Sequence, residues 1–497
     1  MIALNISLKS RSTRQIGAAL ALGILLGYAA LVLGPLLVLS GMMGLILLIV
    51  AFTNPEIVIL VVLCFVSGLI PARFNPRISL LVAHLQGSDL LLIGLLSVVV
   101  FRSLTDKTFR YVKTPLDTPL LLFYGAVVVA VGTCVFRFGI NFSDATSEAR
   151  ILMYYLIFFA VTNLVRTRTQ LLRLIQGVFS ISLLVATTMI LQTVLGRSLL
   201  LMDGSILRSG ERLIRFFHPG TTAIYITLIT LICDMALRKH VRCRWLRPLQ
   251  LLVLGLGLLL VLDRNLLISG TVSLVVSILI LRESQRSRLA GNLLLAAGIA
   301  VGVAGAFVIS ENKSLVLFAP KYLITFLDRM SRMFSGAILT SEENLLPRWV
   351  EIRYAWAHIV EHPIFGIGLW NTYRPPFEVG DTLRRYIHNA YVWIWLKTGL
   401  LGLVPFLWLS VRFLWRGFQH WRDVQDDFLR AASLGFTLAY LGMMISNLVA
   451  PFFVQDWSLA IFGVMLGINE LIFAHNEATD KHKEGALHGV QQTTTTG

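Results

Sequence analysis

Residues 345–402 read LLPRWVEIRYAWAHIVEHPIFGIGLWNTYRPPFEVGDTLRRYIHNAYVWIWLKTGLLG, and they form the most polar long stretch of a chain that is otherwise mostly apolar. Within this stretch, His388 stands at the start of an apolar run. A proline- and glycine-containing turn, here called the elbow, occupies residues 362–368. The arginines ahead of the apolar run include Arg348, Arg353, Arg384 and Arg385. The surrounding apolar segments predict a scaffold of membrane spans that holds this polar surface at one face of a bilayer.

The composition is typical of a membrane protein. Of the 497 residues, 56% are hydrophobic and 14% are charged, and the mean hydropathy is +0.75. These values predict a polytopic membrane protein. The cysteines show no CxxC spacing, which argues against a disulfide or a zinc site: Cys64, Cys134, Cys233 and Cys243. A basic start followed by an apolar run without a cleavage site predicts a retained first span and not a removed signal peptide.

Apolar runs long enough to cross about 30 Å of hydrocarbon recur along the chain, for example at residues 151–165 and 221–237. They predict an all-α polytopic membrane protein with roughly 12–14 transmembrane helices and a large, partly helical extracytoplasmic loop between the late spans. The predicted organisation comprises a cytoplasmic N-terminus (1–15), a transmembrane helix bundle (16–309), the extracytoplasmic loop (310–387), C-terminal transmembrane helices (388–474) and a disordered cytoplasmic tail (475–497).

Lysines and arginines test the order of the spans independently. If the N-terminus is cytoplasmic, the connections predicted to lie inside are rich in Lys and Arg, as in residues 102–113 and 238–247. Alternating inside and outside connections along the chain then place both termini in the cytoplasm. The positive-inside bias thus accounts for most of the net charge of +16, and no nucleic-acid partner is needed to explain it.

Two segments predicted to lie outside keep arginines against this bias. One is the loop 196–220, which includes Arg212 and Arg215, and the other is the long segment 310–387. An isolated charge pair, Asp263-Arg264, is predicted at a tight outside turn. As a set, these cations favour an anionic ligand on the outer face. For any single arginine, snorkelling and contact with lipid headgroups are equally good explanations.

The long outside segment is predicted to be partly helical. Residues 321–334 have the pattern of an interfacial helix. In residues 348–361, an apolar helix face is predicted by side chains that recur at spacings of three and four, namely Trp349, Ile352, Trp356 and Ile359. The polar residues fall away from that face: Arg348, Glu351 and His358. Pro363 ends this helix, and the elbow glycines permit a tight turn.

His388, followed by Asn389 and an aromatic-rich helical start, is the candidate catalytic residue. An imidazole titrates near neutral pH and can take a proton from a hydroxyl within hydrogen-bond reach. The guanidinium group of one arginine can bind two phosphate oxygens at once, and it stays charged. Together they suit attack by a hydroxyl on a donor with a pyrophosphate leaving group. The acids of the outside segments show no DxD pair and no ligand spacing, so no metal site is predicted.

Two charged residues within predicted spans have simpler interpretations. Lys397 lies roughly 14 Å along a helix from His388 by the helical rise and is expected to snorkel outward. Asp234 is an intramembrane acid, a type of residue that suits transport. Its closeness to the cytoplasmic basic run favours a local ion pair instead.

Three patterns point in one direction. The first is Arg348-Trp349, Ala355-Trp356, His362-Pro363-Ile-Phe-Gly366-Ile-Gly368, His388-Asn389-Ala-Tyr391 and Gly399-Leu-Leu-Gly402. The second is Arg215-Phe-Phe-His-Pro219-Gly, and the third is Asp263-Arg264-Asn265. They resemble the loop-to-span signature, the arginine segment ahead of a span and, with both neighbours of the arginine changed, the Ser-Arg-Gly turn of one family. Over about residues 205–410, the chain resembles the O-antigen ligase and O-antigen polymerase superfamily of bacterial membrane glycosyltransferases.

This resemblance implies an enzyme at the outer face of the bacterial cytoplasmic (inner) membrane. Such an enzyme moves a glycan from undecaprenyl pyrophosphate to a lipid or glycan hydroxyl acceptor, with inversion and without a metal or other cofactor. The resemblance makes His388 the catalytic base. It assigns the pyrophosphate to Arg215 and Arg264, with Arg212 and Arg348 as further candidates for the same work. The implied partners are the lipid-linked donor, the acceptor and membrane lipids.

Several alternatives stay open at this point. Within the superfamily, the acceptor of a ligase is the lipid A core or another surface anchor, and that of a polymerase is another lipid-linked repeat. A third variant transfers glycan to protein hydroxyls. A different class is a transporter of an anionic or lipid-linked substrate, which would be expected to show internal repeats and broken polar helices at mid-membrane. A purely structural membrane component would leave the outward arginines unexplained.

Overall fold

The computed structural model of the protein describes residues 35–79, 84–195, 205–209, 212–239, 246–261, 263–309, 342–376 and 384–494. Within these ranges the chain is almost entirely α-helical, with two short antiparallel hairpins. The cytoplasmic N-terminus and first span predicted before residue 35 lie outside the described residues, as does the interfacial helix predicted at 321–334.

The described helices, in chain order, are α1 (Pro35–Thr53), α2 (Pro55–Val66), α3 (Gly87–Thr105), α4 (Asp117–Phe138), α5 (Phe142–Leu152), α6 (Ile157–Leu164), α7 (Arg168–Leu195), α8 (Thr221–Leu237), α9 (Leu246–Val261), α10 (Arg264–Ile280), α11 (Glu283–Ile309), α12 (Glu342–Glu361), α13 (Ala390–His420), α14 (Asp427–Ser446) and α15 (Asp456–Thr494). The hairpins pair β1 (Arg77–Ser79) with β2 (His84–Gln86), and β3 (Ser205–Ser209) with β4 (Arg212–Phe217).

Among the described residues, six helices are long and apolar enough to cross a membrane: α3, α4, α7, α13, α14 and α15. Shorter apolar helices accompany them in α1, α2, α8, α9 and α10. The fold class predicted from the sequence, an all-α polytopic membrane protein, is therefore confirmed. The number of spans stays a prediction.

The last two helices lie at the centre of the described bundle. In the apolar spanning part of each helix, 72% of the residues of α14 and 89% of those of α15 are buried, compared with 33% in α3 and 39% in α4. α8 crosses α14 closely, because a Cβ at Gly435 would come within 2.4 Å of the Cα of Thr230. α13 packs along α4 and also contacts α14. The helix that follows His388 is thus held by both neighbours.

One predicted span is interrupted in the structure. The apolar run at residues 151–165 corresponds to the end of α5, a 3₁₀ turn at Met153–Leu156 and the short helix α6. Hydropathy detects the continuous apolar run but carries no information about a change of helix type.

The predicted disordered tail also differs from the structure, in which α15 continues to Thr494. The physical reason is local propensity. Residues 475–494 contain Ala, Glu, Lys, Leu and Gln, which favour helix, and no proline.

The interpretation of Asp234 as a local ion pair is confirmed. Its carboxylate contacts the guanidinium groups of Arg247 and, at 3.4 Å, of Arg238. Both arginines belong to the basic run at residues 238–247, which extends into the first turn of α9. The intramembrane acid that would suit a transporter is thus occupied by neighbouring cations.

Candidate active site

α13, the helix that begins after His388, is broken at Gly399. The backbone there has φ 67° and ψ −168°, a left-handed conformation that favours glycine. The elbow docks on this break through four backbone hydrogen bonds. Two elbow N–H groups donate to carbonyls before the break: Ile367 to Leu396 (2.8 Å) and Gly368 to Lys397 (3.1 Å). Two N–H groups after the break donate to elbow carbonyls: Leu400 to Pro363 (2.9 Å) and Leu401 to Ile364 (3.2 Å). The elbow and the break therefore form one hydrogen-bonded unit.

The glycines of the sequence signature are the residues that this docking requires. A Cβ at Gly399 would lie 2.0 Å from the carbonyl oxygen of Ile364, and one at Gly366 would lie 2.5 Å from a backbone oxygen of α13. Gly368 approaches α4 in the same way, 2.9 Å from the carbonyl oxygen of Ala130. All three glycines have positive φ. The signature thus encodes the close approach of the elbow to α13 and α4.

The first turn of α13 is fixed by hydrogen bonds at its start. The side chain of Asn389 caps the helix by accepting from the N–H groups of Tyr391 and Val392, both at 3.0 Å. The N–H of Ala390 donates at 3.0 Å to the carbonyl of Asn447, in the loop after α14. These contacts also fix the backbone position of His388, the residue before the cap.

α12 brings a buried acid to the site. Glu351 and Ile359 are 4% and 2% exposed, whereas Trp349 and Trp356 are 68% and 51% exposed. The buried face of this helix is therefore not the apolar face predicted from the sequence, because it includes an acid and leaves out the two tryptophans. Glu351 can be buried because His388 pairs with it, and exposed tryptophans suit a lipid-facing surface.

His388 and Glu351 form a tightly coupled pair. The Nδ1 atom of His388 lies 2.9 Å from Oε2 and 3.2 Å from Oε1 of Glu351, and the backbone N–H of His388 donates to Oε2 at 3.2 Å. A carboxylate only accepts hydrogen bonds, so this contact favours a proton on Nδ1, and the neutral ring then has its lone pair on Nε2. The ring of Tyr386 packs edge-on against the imidazole, with centroids 5.9 Å apart. The imidazole is held in the tautomer and orientation that a general base needs.

A cavity of about 230 Å³ opens beside this pair. Its polar lining consists of Arg348, Glu351, His388 and Asn389, and its apolar lining of Trp349, Ile352, Ile387, Leu448 and Val449. The structure thus brings together two of the residues predicted from the sequence, Arg348 and His388. The His388 side chain is 38% exposed, so a substrate can reach it.

Arg264 is the first residue of α10, and the residue before it caps that helix. The Oδ1 atom of Asp263 accepts the N–H of Asn265 at 2.9 Å. An aspartate here does the capping for which the serine of the Ser-Arg-Gly turn is also suited. Among the side chains that the structure describes, Arg264 is not part of the lining beside His388.

Arg212 and Arg215 lie on β4, the second strand of the hairpin ahead of α8, and this strand packs against α9. His218 follows β4 and is buried, with its Nδ1 accepting the N–H of Gly220 at 3.0 Å. Burial lowers the pKa of His218 to about 3. His218 is therefore neutral and only a weak base at physiological pH.

Lys397 does not snorkel, in contrast to the expectation from the sequence. Its side chain is fully buried, and its Nζ donates to the carbonyl of Asn371 at 2.6 Å and lies 3.7 Å from Oε2 of Glu148. The elbow and the segment after it cover this part of α13, so the ammonium group finds its partners inside the protein.

Glu351 is the site residue that the sequence interpretation missed. One signal was present, because Glu351 is the single acid between Asn344 and Val360 and has Arg348 and Arg353 on either side. In the described ranges, no group of three or more His, Cys, Asp or Glu side chains is placed to hold a metal ion. The metal independence of the reaction stays a prediction.

Comparison with known proteins gives a family. Residues 249–407 match the family model described as O-antigen ligase. This region runs from α9 past the break in α13 and includes Arg264, Arg348, Glu351 and His388, whereas the β4 arginines precede it. No curated protein matches the chain. The match over residues 249–407 supports the resemblance of the chain to the O-antigen ligase and polymerase superfamily.

Proposed function

We propose that the protein is an O-antigen ligase-type enzyme that moves a glycan from undecaprenyl pyrophosphate to a hydroxyl acceptor at the outer face of the bacterial inner membrane. The observation that carries the proposal is the pairing of His388 with Glu351 beside Arg348 in one cavity. The matched family supplies the reaction class, and this pair supplies a base in the required state.

In the proposed reaction, the acceptor oxygen attacks the anomeric carbon of the donor sugar and gives its proton to Nε2 of His388. The bond between that carbon and the pyrophosphate oxygen breaks, and the pyrophosphate leaves with the bonding electrons. Attack from the face opposite the leaving group inverts the configuration. Glu351 keeps the other ring proton on Nδ1 and stabilises the imidazolium that forms.

The leaving pyrophosphate needs charge stabilisation more than it needs a proton. Arg348 lines the cavity beside the base and is proposed to bind the phosphate oxygens there. Arg215 and Arg264 are proposed to hold the rest of the pyrophosphate, with Arg212 in support, as the family resemblance implies. Guanidinium groups stay charged throughout, so the proposed mechanism uses no metal ion.

The proposed orientation places the cavity outside and both termini in the cytoplasm. The support is the excess of Lys and Arg in the connections assigned to the inside. The transporter alternative has less support, because the acid best suited to it, Asp234, is paired with Arg238 and Arg247.

A reconstituted reaction tests the proposal. The purified protein in detergent receives an undecaprenyl-pyrophosphate-linked oligosaccharide, candidate acceptors and a chelator, and the release of undecaprenyl pyrophosphate is measured. Wild type is expected to release it and His388→Ala to fall to background, because the base is gone. His358→Ala is the matched control. His358 lies on α12 and contacts Glu361 outside the cavity lining, so this variant should keep full activity.

A second comparison addresses the pyrophosphate. Arg348→Ala should raise the KM for the donor, whereas Arg353→Ala, on the exposed face of the same helix, should leave it unchanged. The product size then separates the family members, since one added glycan indicates a ligase and a ladder indicates a polymerase. Full activity of His388→Ala would exclude the proposed base. If wild type binds the donor but releases nothing, transport becomes the better proposal.

A further inference from the structure

We propose that Lys397 and Glu148 are positioning residues, a buried pair that holds the segment against which His388 is packed. The proposal rests on the proposed function in that His388 is taken as the base. It concerns two residues that the reaction itself does not use, on helices α13 and α5.

The first step is the burial of Lys397. An ammonium group in the interior is costly unless it is paired and hydrogen-bonded. Lys397 has both kinds of partner, a backbone carbonyl at Asn371 (2.6 Å) and a carboxylate at Glu148 (3.7 Å). Its position is therefore specified by the protein and is not that of a side chain reaching for solvent.

The second step is the backbone that this pair grips. Glu148 accepts the N–H of Trp370, and Lys397 donates to the carbonyl of Asn371, so adjacent residues are held from two sides. Trp370 has a φ of 67°, and among the described residues no other non-glycine residue has positive φ. Such a conformation is strained for a residue with a Cβ and persists only when its surroundings impose it.

The third step leads from this backbone to the base. Tyr373 is 2% exposed, and its N–H donates to the carbonyl of Arg384 at 3.3 Å while its hydroxyl donates to the carbonyl of Tyr386 at 2.9 Å. The ring of Tyr386 in turn packs on the imidazole of His388, and its hydroxyl accepts from Gln455. A continuous chain of contacts thus runs from Lys397 to His388 without passing through Glu351.

The opposite end of α13 offers a matched control pair. Arg416 contacts Glu470 at 3.1 Å, and their side chains are 16% and 2% exposed. This pair has the same charges and similar burial, and its cation also lies on α13, but Arg416 is 28 residues from His388 in the sequence. Loss of an ion pair as such should therefore affect both pairs alike, whereas loss of positioning should affect only Lys397 and Glu148.

The kinetic test compares Lys397→Met and Glu148→Gln with Arg416→Met. The first two variants should lower kcat by about tenfold to a hundredfold with the donor KM unchanged, because small displacements of a base cost rates of this size. Glu148→Gln retains the volume and an acceptor for the Trp370 N–H. Arg416→Met should keep kcat within about twofold, since surface and core changes away from the base leave its geometry intact. Equal kcat losses in all three variants would overturn the proposal.

A coupling measurement separates positioning from general damage. If Lys397 acts through the orientation of His388, its loss should cost less in a Glu351→Gln background than in the wild type, because the orientation is already lost. For Arg416→Met and Glu351→Gln, the fold-losses in kcat of the single variants should multiply in the double variant, as expected for independent changes. If the fold-losses in kcat of Lys397→Met and Glu351→Gln also multiply in the double variant, the inference is contradicted.

A readout without catalysis completes the test. A nitroxide at the exposed position Thr372, introduced as Thr372→Cys, should show restricted motion in the parent and greater mobility with Lys397→Met or Glu148→Gln, but not with Arg416→Met. Unchanged nitroxide mobility in both variants would refute the proposal that Lys397 and Glu148 hold this segment in place. An inactive wild type would refute the proposed function, and the nitroxide spectra would still decide on the positioning pair.

Discussion

At the scale of single residues, the site depends on how Glu351 is satisfied. A carboxylate this deeply buried is costly unless donors reach it. His388 supplies them from its ring and from its backbone N–H. One residue thus satisfies the acid, and the acid fixes the ring of that residue. In the proposed reaction, the imidazole takes a proton and the same carboxylate becomes the counter-charge of the cation.

Glu351→Gln tests this second role. The amide keeps the volume and one acceptor but loses the charge, so we expect kcat to fall by about 10²- to 10⁴-fold, as for loss of charge behind a catalytic histidine. The KM for the donor should change little. Steady-state release of undecaprenyl pyrophosphate gives both constants, with Glu361→Gln at the exposed end of α12 as the control. A glutamine variant with wild-type kcat would show that the charge of Glu351 is not used.

His218 gives a prediction about stability and pH. Its pKa is lowered to about 3 by burial, below its ordinary value of 6.5, so the unfolded chain takes up the proton first as the pH falls. The free energy of unfolding should therefore drop between pH 6.5 and 3, by about 2 kcal/mol over the first 1.5 units. His218→Asn keeps an acceptor for the Gly220 N–H and should show less of this loss. Thermal unfolding in detergent from pH 7 to 5 measures it, and equal slopes for both proteins would exclude His218 as the cause.

At the scale of elements, the broken helix α13 is the feature that makes the site. A continuous helix would use the carbonyls of Leu396 and Lys397 internally and would leave the elbow without partners. The break at Gly399 frees them, and the elbow N–H groups take them up. Helix, elbow and the end of α12 are consequently fixed relative to one another, and this places Glu351 opposite His388.

Gly399→Ala tests that dependence. The added Cβ would meet the Ile364 carbonyl at 2.0 Å, and alanine disfavours the positive φ, so we expect a loss of more than about 2 kcal/mol in stability and a large loss of activity. Gly125→Ala is the matched control because nothing lies within 4 Å of its added Cβ in α4. Thermal unfolding and donor turnover are measured for both. An alanine at 399 that behaves like the one at 125 would mean that the elbow does not need the break.

Sequence patterns predicted the elements better than their contacts. The apolar run at 221–237 has the bounds of α8, and the elbow glycines predicted a tight turn that the structure contains. The buried face of α12 was not predicted, because apolar periodicity cannot show that an acid will be buried against a histidine 37 residues away. The partner of Lys397 was missed for the same reason, since a contact between α13 and α5 depends on how the bundle closes.

At the scale of the whole molecule, the proposal depends on which side of the membrane the cavity faces. The cationic connections assigned to the inside and the site assigned to the outside belong to one scheme. If one is inverted, the other is inverted with it. A lipid-linked donor presented at the outer leaflet is accessible in only one of the two orientations.

Cysteine labelling in intact cells tests the orientation. An impermeant maleimide should label Thr372→Cys directly and Lys107→Cys only after permeabilisation, because the two exposed positions are assigned to opposite faces. The parent chain is the background control, since its described cysteines are buried or half-buried. Labelling of Lys107→Cys alone in intact cells would invert the scheme and with it the proposed access to the donor.

The position of the break in α13 also bears on how far His388 lies from the hydrocarbon layer of the membrane. Below it, residues 400–420 measure about 31 Å by the helical rise, which matches a hydrocarbon layer of about 30 Å. Above it, residues 390–398 add up to about 14 Å, more than the roughly 5–7 Å of one headgroup layer. If the break lies at the hydrocarbon edge, His388 would stand near or above the plane of the lipid phosphates. Bond exchange would then take place in water, and the polyprenyl chain would serve as a tether whose length has little effect on the chemical step.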